Sequence, residues 1–598
     1  MKLSKLYSNK PDLFEPIEFN SGLNVVLGEI RVPENRQRDT HNLGKTTLGS
    51  MIDFCLIASR DAKFFLFKHP QLFDGFVFFV EVELLDGTFL TVRRSVADAS
   101  KISFKKHFKG NQDFTTLPDQ GWDHLNIPFV RARELFDGIL DLRALKPWSY
   151  RKGLGYLVRS QEDFQDIFHL KRFRATHADW KPFLAHLLGF NAELIADQYR
   201  KEEELAKKEE TATTIRAELG PTIEDISKVE GILLLKQKEA EKKQTLLDAF
   251  DFRTQDKRKT KELVDEIDIR IASLNGRRYS LALNRKKVTA SLEEGQILFD
   301  PEEAARIFNE AGVLFQGQIK RDFEQLIEFN QSITEERQVY LTEERNEIEA
   351  ELRTINSELN NLGKRRSETL SFLSETDAFA KYKNLTNELV NLKADIASLE
   401  RQRGFLLRLQ ELRKDIRFLT EEKQRLRELV EEDVESKSAD PQSLFSSIRF
   451  FFSEIVEAVV DRKALLSVPV NHEGHVEFKA DILDESGNTT SADMGHSYKK
   501  LLCIAFDMAI LRAHLDRRFP RFLFHDGVFE SLDDRKKGNL LDVTREYCDL
   551  GIQHTITLID SDLPPQSGEN SLAFQDAEIV LRLHDEGEKG RLFKMQTW

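Results

Sequence analysis

Between Glu193 and Glu435 apolar residues recur with alternating gaps of four and three, and only Pro221 and Pro301 interrupt the span. A spacing of about 3.5 residues keeps one apolar seam turned toward a partner helix, which is the pattern of a coiled coil. Separate amphipathic helices are the alternative, but three such runs in one segment favour the coiled coil. The runs are Ile348, Leu352, Ile355, Leu359 and Leu362; Leu385, Leu389, Leu392, Ile396 and Leu399; and Ile215, Leu219, Ile226, Val229 and Leu233.

The heptad pattern breaks near its middle, where glycines, phenylalanines and the Asp300-Pro301 step cluster. Glycine and the residue before proline commonly end helices. Arms of similar length on either side of the break predict one chain that folds back as a long antiparallel coiled-coil hairpin. The predicted segments are an ascending arm over 193–295, an apex over 296–330 and a descending arm over 331–437.

The two flanks of the coiled coil, residues 1–192 and 438–598, are richer in Phe, Val, Ile and Gly. Short apolar runs there predict strands, and Asp86-Gly87 between two of them predicts a hairpin turn. Because a hairpin brings its two ends together, the flanks are expected to form the two halves of one α/β head. The predicted strands are Leu23–Leu27, Phe76–Leu84, Phe89–Arg94, His475–Leu483, Phe522–Phe524 and Thr555–Ile559.

Charge and cysteine content exclude several classes of protein. The formal net charge of -14 excludes a strongly basic nucleic-acid binder, although not a local basic patch. The three cysteines are far apart, which fits a reducing cytoplasm and excludes both a disulfide scaffold and a CxxC zinc hook. No apolar run is long enough for a membrane span, and no secretory leader is visible at Met1–Leu6. We therefore expect a cytoplasmic protein.

A predicted strand that ends at Gly28 is followed by Gly-Lys-Thr-Thr and an apolar helix. This order is typical of a phosphate-binding loop, in which glycine lets backbone N–H groups approach phosphate and the helix dipole attracts it. Lys45 would reach the β and γ phosphates of ATP, and the Thr46 hydroxyl would bind Mg²⁺. The insertion Ile30–His41 departs from the usual loop, and a chance Gly-Lys-Thr is the alternative. The predicted nucleotide-binding residues here are Gly28, Asn42, Gly44, Lys45, Thr46 and Thr47.

A split head, an N-terminal phosphate loop and a coiled-coil hairpin resemble the SMC/RecN class of ABC-type ATPases. The resemblance implies a homodimer whose heads sandwich two ATP molecules. It implies that Gln161 contacts Mg²⁺ and the attacking water, and that Asp526 orients Mg²⁺. It further implies that Gly495 and Ser497 bind the nucleotide of the other head and that Asp533 belongs to the D-loop.

Two water-activating groups of that family are missing from their usual places. Gly527 stands where the family has its general-base glutamate, and no histidine follows the strand Thr555–Ile559. Either Glu530 or Asp560 replaces the base, and the alternative for Glu530 is a helix-cap carboxylate in solvent. ATP hydrolysis is therefore expected to be slow, or to be absent.

The inserted loop, His525-Asp526-Gly527 and Leu157-Val158-Arg159-Ser160-Gln161 resemble a bacterial SMC-like branch of Lamassu or ABC-three-component anti-phage systems. That resemblance implies a protein that senses double-stranded DNA and controls a separate effector, often a nuclease, with accessory subunits. Lys171, Arg172 and Arg174 are the candidate DNA contacts. Basic clusters in the predicted arms, such as Arg277-Arg278, are better explained as solvent-exposed positions of the coiled coil. A nucleotide-gated scaffold that does not hydrolyse ATP and a RecN-type DNA-repair ATPase are the alternatives.

Overall fold

The computed structural model describes residues 1–598 except 33, 35–42, 171–175, 220–224, 250–254, 294–316, 372–376, 485–486, 488–495, 531, 564–573 and 597. The chain forms two compact units. Both ends of the chain, Met1–Leu205 and Leu419–Trp598, form the first, here called the head unit. Residues Ala206–Phe418 form the second, here called the helical unit.

The chain is mixed α/β, and the strands belong to the head unit. The strands are β1 Lys2–Ser8, β2 Ile17–Glu18, β3 Leu23–Glu29, β4 Val77–Glu83, β5 Phe89–Ser95, β6 Lys101–His107, β7 His124–Pro128, β8 Val158–Arg159, β9 Ala464–Ser467, β10 Lys479–Ile482, β11 Phe522–His525, β12 Gln553–Ile559 and β13 Ile579–His584. The helices are α1 Lys45–Cys55, α2 Phe65–Lys68, α3 Pro70–Phe73, α4 Phe129–Leu140, α5 Tyr150–Leu157, α6 His177–Leu187, α7 Ala192–Leu219, α8 Ile226–Asp248, α9 Gln255–Glu293, α10 Gly317–Ser371, α11 Asp377–Ala439, α12 Leu444–Val460, α13 His496–Ala513 and α14 Asp534–Asp549.

A five-stranded parallel sheet in the order β13-β3-β12-β11-β8 lies at the centre of the head unit. Its inner strands are buried along almost their whole length, as expected where both faces of a parallel sheet are covered. The strands predicted at Leu23–Leu27, Phe522–Phe524 and Thr555–Ile559 are confirmed as β3, β11 and β12 of this sheet. Sequence analysis missed β13, which pairs with β3.

A second sheet is antiparallel, with the order β2-β1-β4-β5-β6-β7. The predicted turn at Asp86-Gly87 joins β4 to β5, which pair as neighbours. Gly87 has a φ of 78°, a conformation that favours glycine, and Asp86 accepts a hydrogen bond of 2.9 Å from the backbone N–H of Thr88. The turn is therefore confirmed, and glycine and aspartate provide the conformation and the hydrogen bond that it needs.

Helix α1 contacts strands of both sheets, namely β4 and β5 of the antiparallel sheet and β8 of the parallel one. Its apolar side chains are buried, and a Cβ added at Gly49 would lie 2.7 Å from the Phe524 ring. The helix is thus held tightly against β11, and its N-terminus is fixed beside the carboxyl ends of the parallel strands.

The helical unit pairs its helices in antiparallel fashion. Lys236 of α8 lies 2.6 Å from Asp395 of α11, and Arg270 of α9 lies 2.9 Å from Glu358 of α10. Predicted apolar positions such as Ile348 and Leu352 are buried in the seams.

The helical unit is not the simple two-helix rod that the heptads predict. Ser280 of α9 accepts a hydrogen bond of 3.2 Å from Arg401 of α11, and Lys287 lies 3.4 Å from Glu218 of α7. Helix α9 therefore packs beside α11 and α7 as well as α10. A heptad pattern specifies an apolar stripe, but the number of partner helices depends on how these stripes pack.

The predicted apex, 296–330, lies outside the described residues up to residue 316, and α10 begins at Gly317. No helix in the described part of the chain is long and apolar enough to cross a membrane.

Candidate active site

The carboxyl ends of four neighbouring strands meet at one edge of the parallel sheet. Gly28 lies near the end of β3, Asp526 follows β11, Asp560 follows β12 and Gln161 follows β8 after one residue. In open α/β sheets this edge is where ligands bind, because loops and helix N-termini collect there. The topology therefore brings together residues that are far apart in the sequence.

The predicted phosphate loop ends at Gly44, which precedes α1 with a φ of 101°. This left-handed conformation suits glycine and turns the chain into the helix. No acidic residue lies in the first turn of α1, so its free N–H groups and dipole present positive charge. Asn42 and most of the insertion Ile30–His41 lie outside the described residues.

Lys45 is the first residue of α1 and lies among carboxylates. Burial lowers its pKa, and the charges of Asp526, Asp562 and Glu530 act in the opposite direction. A half-buried cation beside several acids is suited to bind a phosphate that arrives with a divalent metal, since the charges then balance.

Thr46 and Asp526 face each other across the site. The Thr46 hydroxyl donates to Asp526 Oδ2 over 2.5 Å, and the Thr557 hydroxyl donates to Asp526 Oδ1 over 2.5 Å. Thr557 Oγ1 also accepts the Gly527 backbone N–H at 2.9 Å. Burial raises the pKa of Asp526, while these two hydroxyl bonds and Lys45 lower it.

The donor set of Thr46 and Asp526 fits Mg²⁺, which is usually bound by one or two carboxylates together with substrate phosphates. Gln161 was predicted as a further magnesium contact. The structure places its amide elsewhere, since Gln161 Nε2 donates to Glu530 Oε1 over 2.6 Å.

The Glu530 carboxylate lies directly against Gly527. A Cβ added at Gly527 would be 2.6 Å from Glu530 Oε1, so this carboxylate occupies the space where a side chain at position 527 would begin. The backbone at Gly527 has a φ of 67°, and it turns so that Glu530 folds back toward Asp526. A carboxylate is therefore present beside Gly527, although position 527 itself has no side chain.

Glu530 is not a helix cap. Asp533 caps α14 by accepting the Lys536 N–H at 3.0 Å, so Asp533 has a local structural contact here. Glu530 instead pairs with Lys500 of α13, whose Nζ lies 3.0 Å from Glu530 Oε2 and 2.8 Å from the Gly527 carbonyl oxygen. The cap interpretation of Glu530 is therefore wrong.

Sequence analysis missed three residues of the site: Thr557, Lys500 and Asp562. Burial raises the pKa of Asp562, and its charge acts on Lys45. The Asp-Ser-Asp that follows an apolar strand was a usable signal for Asp562. Lys500 and Thr557 carried no signal, because their roles depend on contacts between separate elements.

A buried polar chain runs beneath the site. Arg159 donates to Asp507 of α13 through Nε at 2.6 Å and Nη2 at 3.0 Å. His525 Nε2 lies 3.1 Å from Asp507 Oδ2, and His525 Nδ1 lies 2.9 Å from His554 Nε2. Arg159 also donates to the Asp163 and Ile167 carbonyl oxygens, so the chain links the turn after Gln161 to β11 and α13.

Burial disfavours the protonated forms of both His525 and His554. Burial lowers the pKa of His525 and lowers that of His554 well below 6.5. His554 Nδ1 has no hydrogen-bond partner in the described part of the chain, as expected for a neutral ring that donates from Nε2.

Replacing His554 with Gln should reduce the loss of stability at acid pH. The unfolded histidine binds a proton below pH 6.5 and the folded one does not, so the free energy of unfolding falls as pH drops from 7.5 to 5.5. One such histidine accounts for about 1.4 kcal/mol at pH 5.5. Denaturant unfolding of parent and variant at both pH values measures the difference.

The pH dependence of the parent must be compared with that of the variant, because other groups also titrate. The raised pKa values of Asp526 and Asp562 stabilise the folded state as pH falls, which is opposite to the effect of His554. Equal pH dependence in parent and variant would show that His554 is protonated in the folded protein.

Several predicted site residues lie where side chains are not described. Gly495 is outside the described residues, and Ser497 is described only as backbone in α13. The candidate DNA contacts Lys171, Arg172 and Arg174 are also outside them. Of the arm clusters, Arg277 pairs with Glu351 and Lys287 with Glu218, in keeping with a solvated coiled-coil face.

Residues 455–597 match a family model described as an uncharacterised protein conserved in bacteria (DUF2326). This match covers β9 to β13, including the segment that holds Asp526 and Glu530. No curated protein matches the chain.

Three similar solved structures contain Smc heads. The Smc head domain with a coiled coil and joint from Pyrococcus yayanosii is 16% identical with a TM-score of 0.34, covering 93% of this chain and 92% of that one. The Smc head domain with an extended coiled coil bound to the C-terminal domain of ScpA from Pyrococcus furiosus is 12% identical with a TM-score of 0.36, covering 94% and 90%. The SmcHead bound to the C-winged helix domain of ScpA is 10% identical with a TM-score of 0.34, also covering 94% and 90%.

Proposed function

We propose that the head unit binds ATP with Mg²⁺ and hydrolyses it at the carboxyl edge of the parallel sheet. The observation that carries this proposal is the position of Glu530. Its carboxylate fills the space beside Gly527, bonds to Gln161 and lies near Lys45 and Asp526.

Different residues of the site would bind the phosphates and the metal ion. Lys45 and the N-terminal N–H groups of α1 would hold the phosphates, and the tight turn at Gly44 aims these groups. Thr46 and Asp526 would hold Mg²⁺, which neutralises charge on the phosphate oxygens when bound.

Glu530 would act as the general base. The water oxygen forms a bond to the γ-phosphorus while the bond from that phosphorus to the bridging oxygen of ADP breaks. The proton of the water passes to the Glu530 carboxylate. Gln161 fixes one oxygen of that carboxylate, and the Lys500 cation lies 3.0 Å from the other.

Replacing Lys45 with Ala should lower ATP affinity by about 10- to 150-fold, because a hydrogen bond to a charged group contributes about 1.5–3 kcal/mol. Turnover should fall to background. The measurements are equilibrium ATP binding and phosphate release by the full chain, with Lys63→Ala as control, since Lys63 is exposed in the loop after α1. Unchanged affinity in Lys45→Ala would contradict the phosphate-loop assignment.

A nucleotide-gated scaffold is the second candidate function. It is favoured by the fact that both Glu530 oxygens are already engaged, one by Gln161 and one by Lys500. A protein that binds ATP through Lys45 but releases phosphate no faster than Lys45→Ala would be such a scaffold.

We further propose, from the resemblance of the motifs, that ATP joins two heads, that the dimer senses double-stranded DNA and that it controls an effector in bacterial anti-phage defence. Action in DNA repair is the alternative. Adding linear duplex DNA to the turnover assay tests the DNA step. Acceleration of phosphate release by DNA supports the sensor, and no effect of DNA on an active enzyme would contradict it.

A further inference from the structure

A cavity of about 220 Å³ lies beside the phosphate loop, between that loop and the segment Arg591–Trp598. We propose that this cavity receives the purine base of the bound nucleotide and that Arg591 and Trp598 determine base recognition. The inference rests on the proposed binding of ATP and not on its hydrolysis. The lining residues are Leu43, Gly44, Thr47, Arg591, Leu592, Phe593 and Trp598.

The segment Arg591–Trp598 is attached directly to the phosphate loop. The Leu592 N–H donates to the Leu43 carbonyl oxygen at 3.0 Å, and a Cβ added at Gly44 would lie 2.6 Å from Leu592 Cβ. The wall of the cavity and the loop that would hold the phosphates therefore form one surface.

The phosphate loop has two different sides. Lys45 is among the carboxylates of Asp526, Asp562 and Glu530, which are the groups suited to the terminal phosphate and metal. None of these residues lines the cavity, which instead includes Thr47, two residues further along α1. A nucleotide with its terminal phosphate at Lys45 would thus extend its base toward the cavity.

The chemistry of the cavity suits an aromatic ring. Its side chains are apolar or aromatic, apart from the Thr47 hydroxyl and the Arg591 guanidinium, which donates to the Met595 carbonyl oxygen at 3.2 Å. Trp598 is 41% exposed, and its ring packs against Phe65 and Phe73, with ring centroids 5.4 and 4.9 Å away. Indole and guanidinium planes both stack on bases.

The size of the cavity limits what it can hold. At about 220 Å³ it is smaller than the roughly 300–1,000 Å³ pockets that enclose whole drug-sized ligands, so it accepts one ring system. Stacking tolerates different bases because every base has a π face. We therefore expect ATP and GTP to bind with affinities that differ by less than about fivefold.

The test compares ATP with inorganic tripolyphosphate, which has the phosphates but lacks the base. Trp598→Ala and Arg591→Ala should each weaken ATP binding by about fivefold or more, and tripolyphosphate binding should stay within about twofold of the parent. Lys594→Ala is the control, because Lys594 lies on the same segment and pairs with Glu15 outside the cavity.

A spectroscopic measurement tests contact with Trp598 separately from folding. Energy transfer from tryptophan to ATP labelled on the ribose with an N-methylanthraniloyl group should be largely lost in Trp598→Phe. The other three tryptophans remain in that variant.

Other results would contradict either the base site or the proposed function as a whole. Unchanged ATP affinity in both alanine variants, or equal loss of ATP and tripolyphosphate binding, would overturn the base site while leaving the phosphate loop in place. Failure of the parent to bind ATP at all would overturn the proposed function together with this inference.

Discussion

Glu530→Gln is expected to lower the rate of ATP hydrolysis by about 10²–10⁴-fold, the usual contribution of a general base. The carboxylate is held beside Gly527 by Gln161 and Lys500, and no other carboxylate of the described site combines these contacts. Glutamine keeps the size and much of the hydrogen bonding of glutamate but cannot take a proton from water. ATP affinity should therefore change little.

Glu162→Gln is the matched control for this variant. Glu162 is exposed in the same turn as Gln161, so the substitution changes the same charge without touching the site. Single-turnover phosphate release and equilibrium ATP binding should be measured on all three proteins. A Glu530→Gln variant that hydrolyses ATP as fast as the parent would remove Glu530 from the mechanism.

Asp507→Asn should lower the free energy of unfolding by about 3–5 kcal/mol, which is the usual cost of leaving one partner of a buried ion pair alone. Arg159 and Asp507 are both fully buried and joined by two hydrogen bonds. Without the carboxylate, Arg159 keeps carbonyl oxygens as acceptors but loses its balancing negative charge.

Denaturant unfolding measures this effect, with Asp516→Asn as the control because Asp516 is exposed just beyond α13. The double variant Arg159→Met with Asp507→Leu should recover much of the stability, since apolar replacement of a buried pair is often nearly neutral. A loss below about 1 kcal/mol in Asp507→Asn would show that Arg159 finds another partner or is reached by water.

The parts of the head unit that could be predicted are those that depend on residues close together in the sequence. Apolar strands, the turn at Asp86-Gly87 and the helix after Gly44 follow from side-chain alternation and glycine conformations that act over a few residues. The heptads likewise predicted long helices with buried seams. They did not predict that α9 also packs against α11, because partner choice is made between surfaces.

The sequence by itself determined the order of strand, glycine and helix around Gly44, the strand that ends beside Asp526 and the helical nature of the middle of the chain, because each depends on short-range spacing. Only the tertiary structure decided the position of Glu530, which contacts Gln161 across 369 residues of sequence. It also decided the Arg159–Asp507 pair and the cavity at Trp598. Such contacts arise when distant segments are packed together, and no local pattern of residue types records them.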